Sequence, residues 1–351
     1  MNFIKSLTLT TILLSSITYI ARAEINVIAS VKPLHSLVAA VMEGVSMPNL
    51  IVKGAASPHT YALKPSQAKQ LERADLVFWM GHSLETFLEK PLEAIATRAM
   101  VVELMDSEGL KKLKMREGGG FDEHDHDDHD DHDDHSKESH DEHDDHDDHD
   151  DHDDHDDHDD HDDHDDHSKE SHDDHAHGEF DVHVWLDPEN AIVMANEIKE
   201  SLKKIDPINA KIYEKNSKSV VKKLKRLIAD VSEELSSAKG KGFIVFHDAY
   251  QYFEERFGLK AVGSITVSPE VVPGVKRIKE LKTKIKELNA LCVFSEPQFK
   301  PKLVTTVVEG TKARTGVLDP LGASIQNGPE LYFILIRDMA NSLNKCLSNK
   351  A

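Results

Sequence analysis

Four side chains combine metal-ligating chemistry with a suggestive placement: His59, His183, His247 and Asp319. Neutral imidazole is the commonest protein ligand for Zn, Cu and Ni, and a carboxylate oxygen can complete such a set. His59 lies in Ala56-Ser57-Pro58-His59-Thr60-Tyr61, a loop after a strand-like run. His183 lies in Asp181-Val182-His183-Val184-Trp185-Leu186-Asp187-Pro188, just before a helix whose cap and first residue are Asp187 and Pro188. His247 ends the run Phe243-Ile244-Val245-Phe246, and Asp319 stands at another strand end in Val317-Leu318-Asp319-Pro320-Leu321-Gly322. Open α/β sheets bind their ligands at such ends. Taken singly, each residue also has a plainer reading. A lone histidine is commonly a hydrogen-bonded structural residue, and Asp before Pro is commonly a turn residue. Separations of 124, 64 and 72 residues make no local zinc motif. His35, on the first turn of a helix, and His82, at one more strand end, read as structural.

A second concentration of imidazole lies between Asp122 and His177, where 56 residues hold 31 acidic residues, 2 Lys and 18 His. Its histidines are His124, His126, His129, His132, His135, His140, His143, His146, His149, His152, His155, His158, His161, His164, His167, His172, His175 and His177. Most follow a His-Asp-Asp repeat, interrupted by two Ser-Lys-Glu-Ser-His islands. With almost no apolar residues the tract cannot bury a core, and disorder is expected without a ligand. A solvated acidic spacer would have no need of imidazoles, so the tract reads as an auxiliary, multi-site, lower-affinity metal binder. It also holds the acidity of a chain whose formal net charge is −22, because the remainder carries 33 acidic and 40 basic residues. Such a tract would repel phosphate, and no nucleic-acid partner is expected.

The elements that must position these residues follow from apolar periodicity. Strand-like runs occur at Ile25–Ala29, Leu50–Val52, Leu76–Met80 and Met100–Leu104, separated by helical stretches at Pro33–Met42, Pro65–Arg73 and Leu84–Ala96. The rhythm repeats with strands at Phe243–Phe246, Ala261–Ile265, Leu291–Phe294 and Thr315–Leu318. Helices are expected there at Tyr250–Phe257, Gly274–Leu288, Lys302–Gly310 and Pro329–Leu347. Short apolar strands alternating with helices indicate an α/β fold, with two lobes that each carry a mostly parallel sheet flanked by helices. The two halves have the rhythm of structural duplicates. Between them, Pro207–Ser237 contains no internal Gly or Pro, and Ile212, Val220, Leu224, Leu227, Ile228, Val231 and Leu235 form a helical stripe. This predicts one long α-helix, roughly 45 Å in length, joining the lobes. The expected boundaries are a leader at 1–23, an N-terminal lobe at 24–121 completed by 178–205, the tract at 122–177, the joining helix at 206–238 and a C-terminal lobe at 239–351.

Residues 1–23 have the form of a cleaved secretory signal. Lys5 supplies positive charge, Leu7–Ile20 is apolar, and Ala21-Arg22-Ala23 is a small-x-small site, with cleavage expected after Ala23. The apolar stretch is short of the roughly 20 residues a spanning helix needs. In an exported chain the single pair Cys292 and Cys346 favours a disulfide, pinning a C-terminal helix to a strand.

Several motifs occur together and in order: Pro-His-Thr-Tyr followed by Lys-Pro-Ser, then His-Val-Trp-Leu-Asp-Pro, Phe-His-Asp-Ala-Tyr, Ser-Glu-Pro-Gln-Phe and Leu-Asp-Pro-Leu-Gly. With the His-rich insertion and the two cysteines, this resembles the ZnuA-type periplasmic zinc-binding proteins, the solute-binding components of zinc ABC importers. The resemblance implies two lobes joined by one long helix with the metal in the cleft between them. His59 and His183 would come from the N-terminal lobe, and His247 and Asp319 from the C-terminal lobe. It implies Zn²⁺ as transported ligand, a periplasmic location, and a permease and ATPase at the inner membrane as partners, with the chain acting as a monomer. Some zinc-binding members place an acidic residue before the first histidine, where this chain has Pro58. The fourth ligand is then Asp319 or a water.

Three imidazoles and one oxygen suit tetrahedral Zn²⁺. Manganese-binding relatives carry more carboxylates, one of them where this chain has His247, although Cu²⁺ would compete for nitrogen ligands. Transport of manganese or another divalent ion, and an exported metal buffer or adhesin, are the alternatives. Three histidines plus water also describe a zinc hydrolase, but no HExxH, nucleophile elbow or general base accompanies them, and no enzyme is expected.

Overall fold

The computed structural model describes residues 25–116, 121, 179–266, 269, 273–287 and 290–348. The expected leader and the His/Asp tract lie outside these residues. The chain divides into a unit made of residues 1–121 and 178–351 and the intervening 122–177. Every described element belongs to the first unit.

Two four-stranded sheets, parallel throughout, organise it. The first contains β1 (Val27–Ala29), β2 (Asn49–Leu50), β3 (Leu76–Trp79) and β4 (Met100–Glu103) in the order β2-β1-β3-β4. The second contains β5 (Phe243–His247), β6 (Ala261–Thr266), β7 (Cys292–Ser295) and β8 (Arg314–Val317) in the order β6-β5-β7-β8. The two orders are the same when each half is counted from its own first strand, so the expected duplication is one of topology. Parallel neighbours require crossovers. Helices α1 (Lys32–Val41), α2 (Pro65–Glu72) and α3 (Thr86–Ala94) supply them in the first half, and α6 (Gln251–Phe257), α7 (Val275–Glu287) and α8 (Lys302–Val308) in the second.

Inner strands are apolar on both faces because both faces are covered. β3 buries Leu76, Val77, Phe78 and Trp79 without alternation. In β5 the period of two sorts side chains between two cores: Phe243 and Val245 enter the main cluster, while Ile244 and Phe246 enter a smaller one with Leu281, Ile285, Val304 and Val307 of α7 and α8. His247, at the next odd position, thereby faces the side of the main core rather than the outer helices.

Helix α4 (Pro188–Ile205) is linked through a 3₁₀ turn at Pro207–Asn209 to α5 (Ala210–Glu234), and the two pack along each other. α5 is the expected long helix, about 37 Å of regular α-helix. It contacts α1 and α9 (Leu331–Leu347), which also contact each other. Asp206 takes the cap position, and its carboxylate accepts from Asn209 Nδ2 at 2.6 Å and the Tyr213 hydroxyl at 2.7 Å. The buried stripe runs Tyr213, Ser217, Val220, Leu224, Leu227 and Val231. Ile212, expected in that stripe, is exposed, because Tyr213 turns inward to reach Asp206. The main core runs without a break from Val27 and Phe78 through Leu224 and Leu227 to Phe294 and Leu343.

Two further features frame the site. The segments flanking the tract form a short antiparallel neck: Lys114 bridges Phe180, Met115 N–H donates to Glu179 O at 3.2 Å, and Asp181 N–H to Leu113 O at 2.8 Å. Cys292 of β7 and Cys346 of α9 form the expected disulfide, closing a 54-residue loop. A loop of that length restricts the unfolded chain by roughly 4 kcal/mol. Replacing both cysteines by Ser should lower stability by about that amount, seen as an earlier guanidinium unfolding midpoint that reducing agent no longer shifts.

Candidate metal centre

His59 sits in a 3₁₀ turn, Pro58–Thr60, beyond β2. Buried Gln67 on α2 steadies this loop: its amide donates to Ile51 O at 2.6 Å and to the Tyr61 hydroxyl at 2.9 Å, while its carbonyl accepts from Lys64 N–H at 2.9 Å. His183 caps a 3₁₀ turn, Val184–Leu186, that leads into α4. Asp187 caps α4 by accepting from Glu189 N–H at 2.8 Å. Arg256 of α6 grips the same carboxylate with Nε at 2.6 Å and Nη2 at 2.8 Å. Three residues before His183, Phe180 forms an isolated bridge with Lys114. His247 is the last residue of β5.

These three histidines form a group whose donor atoms lie within 4.8 Å of one another. His183 Nε2 is 3.4 Å from His59 Nε2 and 3.4 Å from His247 Nε2. A tetrahedral zinc ion about 2.05 Å from each nitrogen separates them by about 3.4 Å. The spacing fits the ion.

The rings are aimed from behind. Asp181 Oδ1 accepts from His183 Nδ1 at 2.7 Å and from its backbone N–H at 2.9 Å. Glu296 Oε1 accepts from His247 Nδ1 at 2.7 Å and from its backbone N–H at 3.4 Å. A carboxylate can only accept, so each Nδ1 carries the hydrogen and each Nε2 turns its lone pair into the group. Glu296 directly follows β7, and His247 ends β5; the two straddle the switch point of the second sheet. Sequence reasoning missed both carboxylates as functional residues. Asp181 stood two residues before a candidate ligand, and Glu296 inside a recognised motif, but pairing Glu296 with His247 requires knowing that β5 neighbours β7.

Electrostatics divide the histidines. Burial, and then the nearness of His183 and His247, hold the His59 imidazole well below its ordinary proton affinity. Burial also opposes charge on His247, but the charge and hydrogen bond of Glu296 outweigh it and leave its pKa raised.

Asp319 is not brought into this group. Its carboxylate accepts from Gln298 Nε2 at 2.9 Å, Leu321 N–H at 3.1 Å, Gly322 N–H at 2.9 Å and Ala323 N–H at 2.5 Å. Those bonds place Asp319 in the turn after β8. Gly322 adopts φ +67° there, a conformation glycine takes without strain. Lys32 of α1 fastens the same turn to the first lobe, donating to Ala323 O at 3.0 Å and Ile325 O at 2.8 Å. His35 is buried with Nε2 3.0 Å from Pro48 O, which matches its structural reading. His82 is exposed, its Nδ1 3.7 Å from Glu103. The 18 tract histidines lie outside the described residues.

Further ties hold the walls of the centre together. Trp185 Nε1 donates to Pro320 O at 2.9 Å, and the Tyr252 hydroxyl to Asp181 O at 2.8 Å. Arg116, at the entrance to the tract, pairs with both Asp248 and Glu254.

A family model described as zinc-uptake complex component A, periplasmic (ZnuA), matches residues 27–346. The chain is 55% identical over 323 residues to a high-affinity zinc uptake system protein ZnuA of Brucella suis, covering 92% of each chain. It is 40% identical over 326 residues to the protein of that name in Haemophilus influenzae, covering 93% of this chain and 94% of the relative. Its fold is similar to a zinc-bound structure of a ZnuA 138–173 deletion mutant, with a TM-score of 0.69 and 21% identity over 94% of this chain and all of the other.

Because Asp181 and Glu296 orient the donors, Asp181→Asn and Glu296→Gln should each weaken zinc binding about 10- to 100-fold. Below the raised pKa of His247 its Nε2 carries a proton that zinc must displace, so affinity should rise as pH passes that pKa. Glu296→Gln should move the rise to lower pH. Chelator competition across a pH series measures both effects.

Proposed function

The chain belongs to the ZnuA family of periplasmic zinc-uptake components, and on that premise we propose that it captures Zn²⁺ in the periplasm and hands it to an ABC permease for import. The observation that carries this reading is that His183 Nε2 lies 3.4 Å from Nε2 of both His59 and His247, the separation of two nitrogens on one tetrahedral zinc ion. His59, His183 and His247 are the proposed ligands. Neutral nitrogen donors favour Zn²⁺ over harder ions such as Mn²⁺. Capture needs no turnover, so the residues serve binding and release rather than catalysis.

The binding walls are tied to each other. Arg256–Asp187, Trp185–Pro320 and Lys32–Ala323 each join residues of the two halves. α5 lies along both, so capture proceeds by small loop movements instead of a wide hinge closure. The site is complete within one chain, which suffices as a monomer. Export follows from the leader, with cleavage after Ala23. At the inner membrane the permease takes the ion, and an associated ATPase drives import. The tract gathers zinc at many weaker sites and supplies it to the three histidines.

Deleting residues 122–177 should lower zinc stoichiometry in titration calorimetry while leaving one tight site. Substituting His59, His183 or His247 by Ala in the deleted protein should weaken that site at least 100-fold (about 2.7 kcal/mol). Mn²⁺ should compete poorly and Cu²⁺ well. Loss of the tight site on deleting the tract would remove the three histidines from this role.

A further inference from the structure

The neck of the insertion is bonded to the second half of the chain as well as to itself. Leu113 N–H donates to the Tyr252 hydroxyl at 2.9 Å, and that hydroxyl donates to Asp181 O at 2.8 Å. Gln251 Nε2 donates to Lys114 O at 3.1 Å and to Asp181 Oδ2 at 3.3 Å. Arg116 spans two carboxylates. Its Nε donates to Asp248 Oδ2 at 3.0 Å, Nη1 to Glu254 Oε2 at 3.0 Å and Nη2 to Glu254 Oε1 at 2.9 Å, and Nη2 donates to Asp248 Oδ1 as well. The Phe121 ring covers the guanidinium, 3.8 Å from its centre.

The same segment makes a second ion pair to α6, and the two differ in their surroundings. The side chains of Lys111 and Glu255 are 49% and 48% exposed. Water screens such a pair, and it restrains geometry weakly. Those of Arg116, Asp248 and Glu254 are 20%, 9% and 5% exposed. Removing the cation there would strand two buried carboxylates. A guanidinium forks across both, which an ammonium cannot do. Glu254 is itself held by the second sheet, because its Oε2 accepts from Ala261 N–H at the start of β6 at 2.8 Å.

Arg116 also lies on a path between two of the histidines. Asp248 directly follows His247. On the other side, Lys114 bridges Phe180, and Leu113 O accepts from Asp181 N–H, two residues before His183. Bonds from the backbone of His247 to that of His183 therefore run through Arg116. The two rings come from different halves, with Nε2 atoms 3.4 Å apart. An ion held between them leaves more readily when the rings are free to part. Resting on the three-histidine reading, we propose that Arg116 is a positioning residue for zinc retention: its fork across Asp248 and Glu254 holds the His247 backbone against the His183 backbone and sets how fast the ion is released. Its bonds go to carboxylates and not to an imidazole, so the coordination itself does not depend on it. The neck thus serves zinc hand-over as well as anchoring the insertion.

The test loads the full chain with one equivalent of zinc and follows release into excess chromogenic chelator by stopped flow, at chelator concentrations where the rate no longer changes. Truncating one partner of a buried charge pair acts on dissociation, so Arg116→Met should speed release at least about tenfold. Its association rate, and the d–d spectrum of one bound equivalent of Co²⁺, should stay as in the wild type. Arg116→Lys should release zinc at an intermediate rate, because an ammonium holds one carboxylate at a time. Lys111→Ala should release it at the wild-type rate. Wild-type release from folded Arg116→Met would overturn the proposal, as would an altered Co²⁺ spectrum in that variant or equal acceleration by Lys111→Ala. If Arg116→Met does not fold, Arg116→Lys decides, and wild-type release there overturns the proposal. The three-histidine reading fails separately, if His183→Ala or His247→Ala releases zinc at the wild-type rate.

Discussion

The convergence of imidazole lone pairs in a buried place is the constraint on which the structure depends. His183 and His247 each spend one nitrogen on a carboxylate behind the ring, so the other nitrogen faces its neighbours with a lone pair. Electron pairs brought this close repel unless a cation joins them. Burial and its two neighbours make His59 a poor base for protons, while the geometry suits a divalent ion. The fold supplies the force that holds this arrangement. Asp181 and Glu296 grip both ring and backbone, and the walls are tied across the two halves by Arg256, Trp185 and Lys32.

Much of the architecture was legible in the sequence because parallel sheets covered on both sides require unbroken apolar runs. Leu76–Met80 and Phe243–Phe246 are such runs, and both are inner strands. The long helix announced itself by the absence of Gly and Pro. Its inward stripe was misjudged at Ile212 because a tyrosine hydroxyl bound for a buried aspartate outranks an aliphatic side chain at the helix start. Position along the chain could not reveal which strands are neighbours, and the role of Glu296 depends on that.

The candidate site was readable to the extent that its residues have distinctive chemistry. Imidazole is a distinctive metal ligand, and three converge here, one ending β5 and two at short 3₁₀ turns. Aspartate before proline has many, and at Asp319 the turn-forming use prevails: three backbone amides and a glutamine amide claim its oxygens. A motif gives residue types, while the satisfaction of each oxygen is a property of the folded loop.

The neck at Lys114 and Phe180 separates two kinds of sequence. Its paired strands bring the chain back to the place it left, three residues before His183, so the insertion begins and ends at one point. The number of imidazoles in the insertion is thus separable from the aim of the nearest ring, which Asp181 fixes on the His183 side of the neck.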